Sequence, residues 1–146
     1  MKLELMLDFL CSLPQGLAGV KIALKGPLGA GKTHLVKALA QRLTPGLEAE
    51  VQSPSFNLCH LYAGPGFELQ HYDLYRLEAP GELDELGIFE SLSDPGSLTL
   101  VEWGDLFAEI LQLCHYVIEI HLQADGSRDY FVSPLDQMSR NLGKQP

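Results

Sequence analysis

The sequence predicts an α/β protein of three layers, with a mixed central sheet and helices on both of its faces. Residues 20–24 form a short apolar run, residues 26–33 are rich in glycine, and apolar side chains at helical spacing follow. This order predicts a buried strand, a tight loop and a helix, which together begin a parallel unit. Residues 57–62 and 67–72 predict two strands joined by a short hairpin loop, so antiparallel pairs should share the same sheet.

The other elements follow from short patterns along the chain. Apolar residues on one helical face predict a helical segment within residues 1–16, and residues 44–46 end the helix that follows the loop. Residues 80–87 predict a short acidic helix, residues 98–101 a buried central strand, and residues 106–113 another helix. Strands are predicted at residues 116–122 and 130–133. We therefore expect one domain over residues 1–133 and a flexible tail over residues 134–146.

The size and composition are typical of a single cytoplasmic domain. The three cysteines are widely spaced among apolar neighbours, so the 146-residue chain is predicted to have neither a disulfide framework nor a zinc site. Glu4 and Asp8 interrupt the apolar N-terminal stretch, which argues against a signal peptide. No window approaches the roughly 18 apolar residues of a membrane span. The formal net charge of -9 disfavours independent binding to nucleic acid.

One motif carries most of the chemistry. Residues 26–33, Gly-Pro-Leu-Gly-Ala-Gly-Lys-Thr, fit the pattern G-x-x-x-x-G-K-[ST] at every required position. The glycines let backbone N–H groups approach phosphate oxygens, while Lys32 is expected to reach the β- and γ-phosphates and the Thr33 hydroxyl to ligate Mg²⁺. The sequence therefore predicts a P-loop site for a nucleoside triphosphate. Its candidate binding residues are Gly26, Leu28, Gly29, Ala30, Gly31, Lys32, Thr33 and His34.

The other basic residues and the histidines have no firm role in the sequence. Five of the ten bases lie around the motif, where they could attract a nucleotide: Lys21, Lys25, Lys32, Lys37 and Arg42. We favour the alternative that all but Lys32 are ordinary solvated charges. No metal-binding spacing is present among His60, His71, His115 and His121.

Four segments in order allow a sharper identification. They are the loop motif, Ser-Pro-Ser-Phe at residues 53–56, His-Tyr-Asp-Leu-Tyr-Arg-Leu at 71–77 and Leu-Val-Glu-Trp at 100–103. Over approximately residues 20–133, the chain resembles the bacterial ATPases of tRNA threonylcarbamoyladenosine biosynthesis. The resemblance implies a P-loop NTPase fold, ATP and Mg²⁺ as cofactors, and slow hydrolysis that depends on partners. It also implies two protein partners from the threonylcarbamoyl-transfer complex, with tRNA bound indirectly through that complex.

The chain departs from the family pattern at three places. Ser55 stands where the family usually has threonine, so the hydroxyl is kept and a methyl group is lost. Pro27 follows the first glycine of the loop, where the family often has an acidic residue. The N-terminal segment is shorter than usual, so the resemblance assigns no residue here to recognition of the base.

Two carboxylates are candidates for catalysis and metal binding beside Lys32 and Thr33. Glu102 directly follows the apolar run 98–101, which predicts a position at the carboxyl edge of a central strand. With the resemblance, its favoured role is Mg²⁺ coordination, directly or through water, and the alternative is an ordinary solvated glutamate. Asp73 ends the second hairpin strand and is the other candidate for metal or water contact. The sequence does not divide these roles between the two.

Three further residues each have two interpretations. Ser55 lies where P-loop proteins commonly carry a switch that senses the γ-phosphate, or it is an ordinary turn serine. Arg128 matches a family position that contacts nucleotide, or it is incidental in a polar hairpin. Trp103 packs beside a nucleotide or partner, or it belongs to the core.

Two other functions fit the same loop. A small-molecule kinase needs an acceptor pocket and usually a mobile lid with several arginines, whereas this chain has only Arg42, Arg76, Arg128 and Arg140 and no insertion of lid size. A noncatalytic nucleotide switch is the other alternative. The guanine-specifying pattern N-K-x-D is absent from the sequence, which favours adenine.

Overall fold

The computed structural model describes residues 1–14, 16–27, 29–46, 59–64, 67–79 and 81–135. Its helices are α1 (Leu3–Cys11), α2 (Lys32–Leu43), α3 (Glu82–Glu85), α4 (Ile88–Ser93) and α5 (Ala108–Leu111), with a 3₁₀ turn at Gly104–Leu106. Its strands are β1 (Lys21–Lys25), β2 (Cys59–Gly64), β3 (Phe67–Asp73), β4 (Ser97–Glu102), β5 (Tyr116–Leu122) and β6 (Arg128–Pro134). Within these ranges, no helix has both the length and the apolar character that a membrane crossing requires.

The strands of the described part form one mixed sheet in the order β2-β3-β4-β1-β5-β6. The central strands β3, β4, β1 and β5 are parallel, while β2 and β6 pair antiparallel at the two edges. The parallel strands end at the same edge of the sheet, where open α/β sheets bind their ligands. The glycine loop follows β1 at this edge, between the ends of β4 and β5.

Helices cover both faces of the sheet, so the predicted three-layer α/β architecture is confirmed. On one face, Leu39 of α2 belongs to a core with Ile22 and Leu24 of β1, and α1 packs into the same core. On the other face, Ile110 of α5 shares a second core with Ala23 of β1, together with side chains of α3 and α4. Successive residues of β1 therefore point into opposite cores, as the period of two in a strand requires.

Several predicted elements differ from the structure at their ends. The acidic helix is divided into α3 and α4 because Gly87 adopts a left-handed φ of 70° between them. The helix predicted over residues 106–113 is reduced to the 3₁₀ turn and α5, because Phe107 is extended at φ -122°, ψ 115°. The last strand is longer than predicted and runs through Pro134, which pairs with Tyr116 of β5. Residues 57–58 of the first hairpin strand and residues 136–146 of the tail lie outside the described residues.

Lys21 is buried at the amino end of β1, at the opposite edge of the sheet from the glycine loop. Its side chain is 2% exposed, and its Nζ donates to the carbonyl oxygens of Ser91, Asp94 and Ser97 at 2.7, 2.8 and 2.9 Å. The hydroxyls of Ser97 and Thr99 accept at 3.0 and 3.1 Å. Burial lowers the pKa of Lys21, and Asp94 acts against that shift. The prediction that Lys21 is a solvated charge is therefore wrong.

The remaining bases around the loop are on the surface or in ion pairs between helices. Lys25 and Lys37 are exposed. Arg42 donates to Asp8 at 2.8 Å and to Glu4 at 2.9 Å, which links α2 to α1. Pairs as exposed as these contribute little to stability, so their main effect is to orient the two helices.

Candidate functional site

The glycine loop is closely packed where its two ends meet the rest of the fold. A Cβ on Gly26, directly after β1, would lie 3.1 Å from the carbonyl oxygen of Ile120, so a side chain there would press on β5. Gly29 and Gly31 have positive φ angles of 82° and 108°, a region that favours glycine. The backbone therefore turns from β1 into the first turn of α2, as phosphate binding at a helix N-terminus requires. Leu28, the remaining predicted loop residue, lies outside the described residues.

The side chain of Lys32, the first residue of α2, turns back onto the glycine loop that precedes it. Its Nζ donates to the carbonyl oxygens of Gly26 at 2.7 Å and Pro27 at 3.0 Å, and it lies 4.0 Å from the centre of the Trp103 ring. The residue is only 4% exposed, and burial lowers the pKa of Lys32. Glu102 is the strongest of the nearby carboxylates that oppose this shift. The ammonium group is therefore held in a partly desolvated position at the mouth of the loop.

Thr33 and Glu102 meet directly at this edge of the sheet. The Thr33 hydroxyl donates to Oε2 of Glu102 at 2.9 Å, and Nε2 of His71 lies 2.5 Å from the same oxygen. Glu102 is the last residue of β4 and is 4% exposed, so it is held inside the site rather than solvated. Its position at the carboxyl edge of a central strand is as the sequence predicts.

Asp73 lies beside Glu102 in the neighbouring strand. The two residues are register partners of the parallel pair β3 and β4, so their side chains leave the sheet on the same face. Oδ1 of Asp73 accepts the backbone N–H of Tyr75 at 3.0 Å, which closes the turn after β3. Asp73 and Glu102 therefore both lie near the Lys32 ammonium group.

The oxygen atoms of this site fit Mg²⁺ by their chemistry. Mg²⁺ prefers oxygen ligands and in nucleotide sites is held by one or two protein groups together with phosphates and water. The hydroxyl of Thr33 and the carboxylate of Glu102 are already in contact, with Asp73 adjacent. Among the described residues, no group of three or more histidine, cysteine or acidic side chains could hold a metal ion. The hydroxyl of Thr33 and the carboxylate of Glu102 are therefore the oxygen ligands here that Mg²⁺ could use together with phosphates and water.

Arg128 supports the loop from β6. Its Nε donates to the carbonyl oxygen of Ala30 at 2.8 Å, and a Cβ on Gly31 would lie 2.6 Å from the same nitrogen. The guanidinium group therefore lies directly against the predicted phosphate cradle. His34, by contrast, is exposed and lines a groove of about 490 Å³ between α1 and α2. Ser55 lies outside the described residues.

Sequence reasoning missed three neighbours of the site. His71 is fully buried against Glu102, although its spacing in the sequence carries no signal of that contact. Tyr75 packs on Trp103, with ring centres 5.1 Å apart, beside the lysine. Asp105 is one of the carboxylates that act on the pKa of Lys32, and no described residue bonds its buried Oδ1.

Trp103 holds an unusual backbone conformation between these groups. It is the only non-glycine residue in the described part of the chain with a positive φ, which is 65°. Its backbone N–H donates to the carbonyl oxygen of Leu24 at 3.1 Å, and this bond holds it over the end of β1. With Pro27 and Asp105, the indole lines a cleft of about 440 Å³ that adjoins the loop. Trp103 therefore belongs to the surroundings of the site and, although only partly buried, also packs against the second core.

Comparisons with known proteins agree with this architecture. A family model described as "Threonylcarbamoyl adenosine biosynthesis protein TsaE" matches residues 4–130. The tRNA threonylcarbamoyladenosine biosynthesis protein TsaE of Haemophilus influenzae is 32% identical over 125 residues, which cover 86% of this chain and 74% of that protein. Its counterpart from Rickettsia typhi is 39% identical over 90 residues, 62% of this chain. The chain spans about 60% of the length of that Rickettsia relative.

A solved structure supports the fold independently. The protein described as "Crystal structure of Bacillus subtilus YdiB" matches with a TM-score of 0.60 and 23% identity, covering 99% of this chain and 88% of that chain. At this identity the match concerns the fold alone. The resemblance stated from the four sequence segments is confirmed by the family match, which covers well over half of the chain. The chain belongs to the TsaE family of threonylcarbamoyl adenosine biosynthesis proteins.

Proposed function

We propose that this chain is a P-loop ATPase that serves the machinery for threonylcarbamoyladenosine at position 37 of tRNA. The observation that carries the proposal is the contact of Thr33 with Glu102, at 2.9 Å, beside a lysine at the mouth of a glycine loop. Phosphoryl transfer to water requires positioned cations, a held metal and an ordered nucleophile more than covalent chemistry. Each of these requirements has a candidate side chain here.

In this proposal, the loop and the first turn of α2 bind the phosphates through backbone N–H groups. Lys32 exchanges the carbonyl oxygens of Gly26 and Pro27 for the β- and γ-phosphates, because a phosphate oxygen is a stronger acceptor for an ammonium group. Thr33 and Glu102 are the residues that would hold Mg²⁺, which when bound neutralises charge on the phosphates. Asp73 orients the attacking water or the metal's water shell.

The surface charge supports an indirect relation to tRNA. The net charge of -9 makes the chain a poor ligand for a polyanion, so tRNA is bound chiefly by the rest of the assembly. We propose two protein partners from the threonylcarbamoyl-transfer complex and a cytoplasmic location. Hydrolysis by the isolated chain is then slow, because partner contact completes the site or couples it to product turnover.

Calorimetric titration with Mg-ATP tests the nucleotide site. Lys32→Ala should abolish measurable binding, while Lys37→Ala serves as the matched control, because Lys37 is exposed on the same helix. Absence of Mg-ATP binding by folded wild-type chain would contradict the proposal.

Turnover assays separate catalysis from binding. Asp73→Asn and Glu102→Gln should each lower phosphate release by about 10²–10⁴-fold while the variants remain folded, the range expected for positioned acid–base or electrostatic groups. The γ-phosphate of ATP should be released as free inorganic phosphate. Its transfer to a small acceptor molecule would instead indicate a kinase. Rapid multiple turnover by the isolated chain would contradict the dependence on partners.

A further inference from the structure

Among the described residues, the side chain of His71 makes one polar contact, and that contact is inside the proposed site. The residue lies in β3, two positions before Asp73, and is 0% exposed. Its Nε2 is 2.5 Å from Oε2 of Glu102, while no described residue bonds its buried Nδ1. A histidine placed only to fill the core would leave one nitrogen unsatisfied with no compensating gain, since an apolar side chain of similar size would pack there without that cost.

The chemistry of His71 and Glu102 indicates which of them donates the hydrogen bond. In the carboxylate form, which is the form that would bind Mg²⁺, Glu102 has no hydrogen to donate, so in that form Nε2 of His71 is the donor to Oε2. The same oxygen accepts from the Thr33 hydroxyl at 2.9 Å. Two donors on one oxygen restrict rotation of the carboxylate, and no described residue bonds the other oxygen, Oε1. Oε1 of Glu102 is thus left available to a ligand that enters the site.

The sheet register makes this contact possible. Asp73 and Glu102 are partners in the parallel pair of β3 and β4. His71 pairs with Leu100 two residues earlier in each strand, so it lies on the same face of the sheet as Asp73 and Glu102. The imidazole therefore lies on the same face of the sheet as the two carboxylates, further from the edge where the strands end, and contacts Glu102 there.

We propose that His71 is the positioning residue that orients Glu102 for the Mg²⁺ that accompanies ATP. This inference rests on the proposed function, because it concerns the same nucleotide site. His71 contacts neither the metal nor the phosphates in this role and acts through Glu102. Histidine and carboxylate groups behind a metal ligand commonly change metal affinity or activity by about 10–100-fold when they are removed.

The experiment compares three substitutions of His71 in the full chain. His71→Gln keeps an N–H group near the position of Nε2, His71→Asn moves its amide to the position of Nδ1, and His71→Leu removes both. His60→Leu is the matched control, because His60 is the cross-strand partner of His71 and bonds Tyr62 at 3.0 Å rather than Glu102. Circular dichroism and thermal unfolding first establish that each variant is folded.

Two binding measurements separate positioning from a structural role. ATP affinity is measured by calorimetry in EDTA and again during titration with Mg²⁺, and phosphate release is measured in parallel. We expect His71→Asn and His71→Leu to raise the half-saturating Mg²⁺ concentration by about 10–100-fold and to leave ATP affinity in EDTA within about twofold of wild type. His71→Gln should recover most of the wild-type Mg²⁺ dependence. His60→Leu should match wild type in all three measurements.

Two results would overturn the inference while the proposed function stands. One is an Mg²⁺ dependence in the asparagine and leucine variants equal to that of a wild type that binds and hydrolyses ATP. The other is an equal loss of affinity with and without Mg²⁺, which would mean that His71 only maintains the fold. If the leucine variant does not fold, the difference between His71→Gln and His71→Asn decides. A wild type that binds no nucleotide in either condition would remove the proposed function, and the inference with it.

Discussion

Replacing Gly31 by alanine tests how the glycine loop is held against β6. Gly31 has a φ of 108°, and an added Cβ would lie 2.6 Å from Nε and 3.1 Å from Cδ of Arg128. Gly29 has a similar φ of 82°, but nothing lies within 4 Å of a Cβ built there. The pair therefore separates backbone strain, which both substitutions share, from displacement of Arg128, which only Gly31→Ala requires.

The expected magnitudes follow from these contacts. A left-handed backbone costs an alanine about 1–2 kcal/mol at either position. Arg128 cannot keep its 2.8 Å bond to the carbonyl oxygen of Ala30 with a methyl group against its Nε. Loss of a hydrogen bond to a charged group costs about 1.5–3 kcal/mol, and this is the extra destabilisation expected of Gly31→Ala. At about 2–4 °C per kcal/mol for a chain of this size, the extra fall in Tm is roughly 3–12 °C.

Urea unfolding of both alanine variants measures the difference, and a double-mutant cycle assigns it. In an Arg128→Met background the bond to Ala30 is already absent, so Gly31→Ala and Gly29→Ala should there lower the free energy of unfolding equally. Equal destabilisation by the two substitutions in the wild-type background would refute the reasoning. An extra cost of Gly31→Ala that persists without Arg128 would refute it as well.

Three further predictions concern the two buried lysines and the core. Lys21→Met should lower the free energy of unfolding by about 1.5–3 kcal/mol, because it removes the hydrogen bonds that the buried ammonium group donates to the carbonyl oxygens of Ser91, Asp94 and Ser97; an unchanged urea midpoint would contradict this. Burial raises the pKa of Tyr72 from 10.0 to about 12, so the folded state retains the phenol proton that the unfolded chain loses. Its contribution is therefore complete below about pH 10 and falls by about 2–3 kcal/mol as the pH rises to about 12. Urea midpoints across this range should fall less steeply in Tyr72→Phe, and equal slopes would argue against it. Trp103 is the single tryptophan and lies 4.0 Å from Nζ of Lys32, so saturating ATP should change its emission by moving the lysine. An unchanged spectrum in a nucleotide-bound sample would mean that the lysine stays on the indole.

The parts of the fold that follow from local sequence were predictable. The loop, its strand and its helix follow one another within residues 20–43, and each depends on short-range rules for apolar period and glycine conformation. Glu102 could be placed at a strand end because the preceding apolar run marks the strand. The division of the acidic helix at Gly87 was missed because a glycine in such a pattern can end one helix or separate two.

The contacts that depend on strand register could not be read from the sequence. His71 and Glu102 are 31 residues apart, and their meeting requires that β3 and β4 pair in parallel at one register. The carbonyl oxygens that accept hydrogen bonds from Lys21 belong to the end of α4 and the start of β4. These segments approach β1 only in the folded domain. A hydrophobicity pattern classes His71 and Lys21 as polar residues and so predicts that each is in contact with solvent.

The two buried lysines differ in what their surroundings leave unsatisfied. Lys21 has five oxygen acceptors within 3.1 Å, so its three N–H groups are fully used and a new ligand could only replace a bond already made. Lys32 has two carbonyl acceptors and faces an aromatic ring, so one N–H group has no oxygen partner among the described residues. In the proposed function, a first phosphate oxygen can therefore bind Lys32 before either carbonyl bond is exchanged, whereas at Lys21 it would have to replace a bond already made. The number of oxygen acceptors, rather than burial, distinguishes the lysine suited to a ligand from the lysine that fastens the fold.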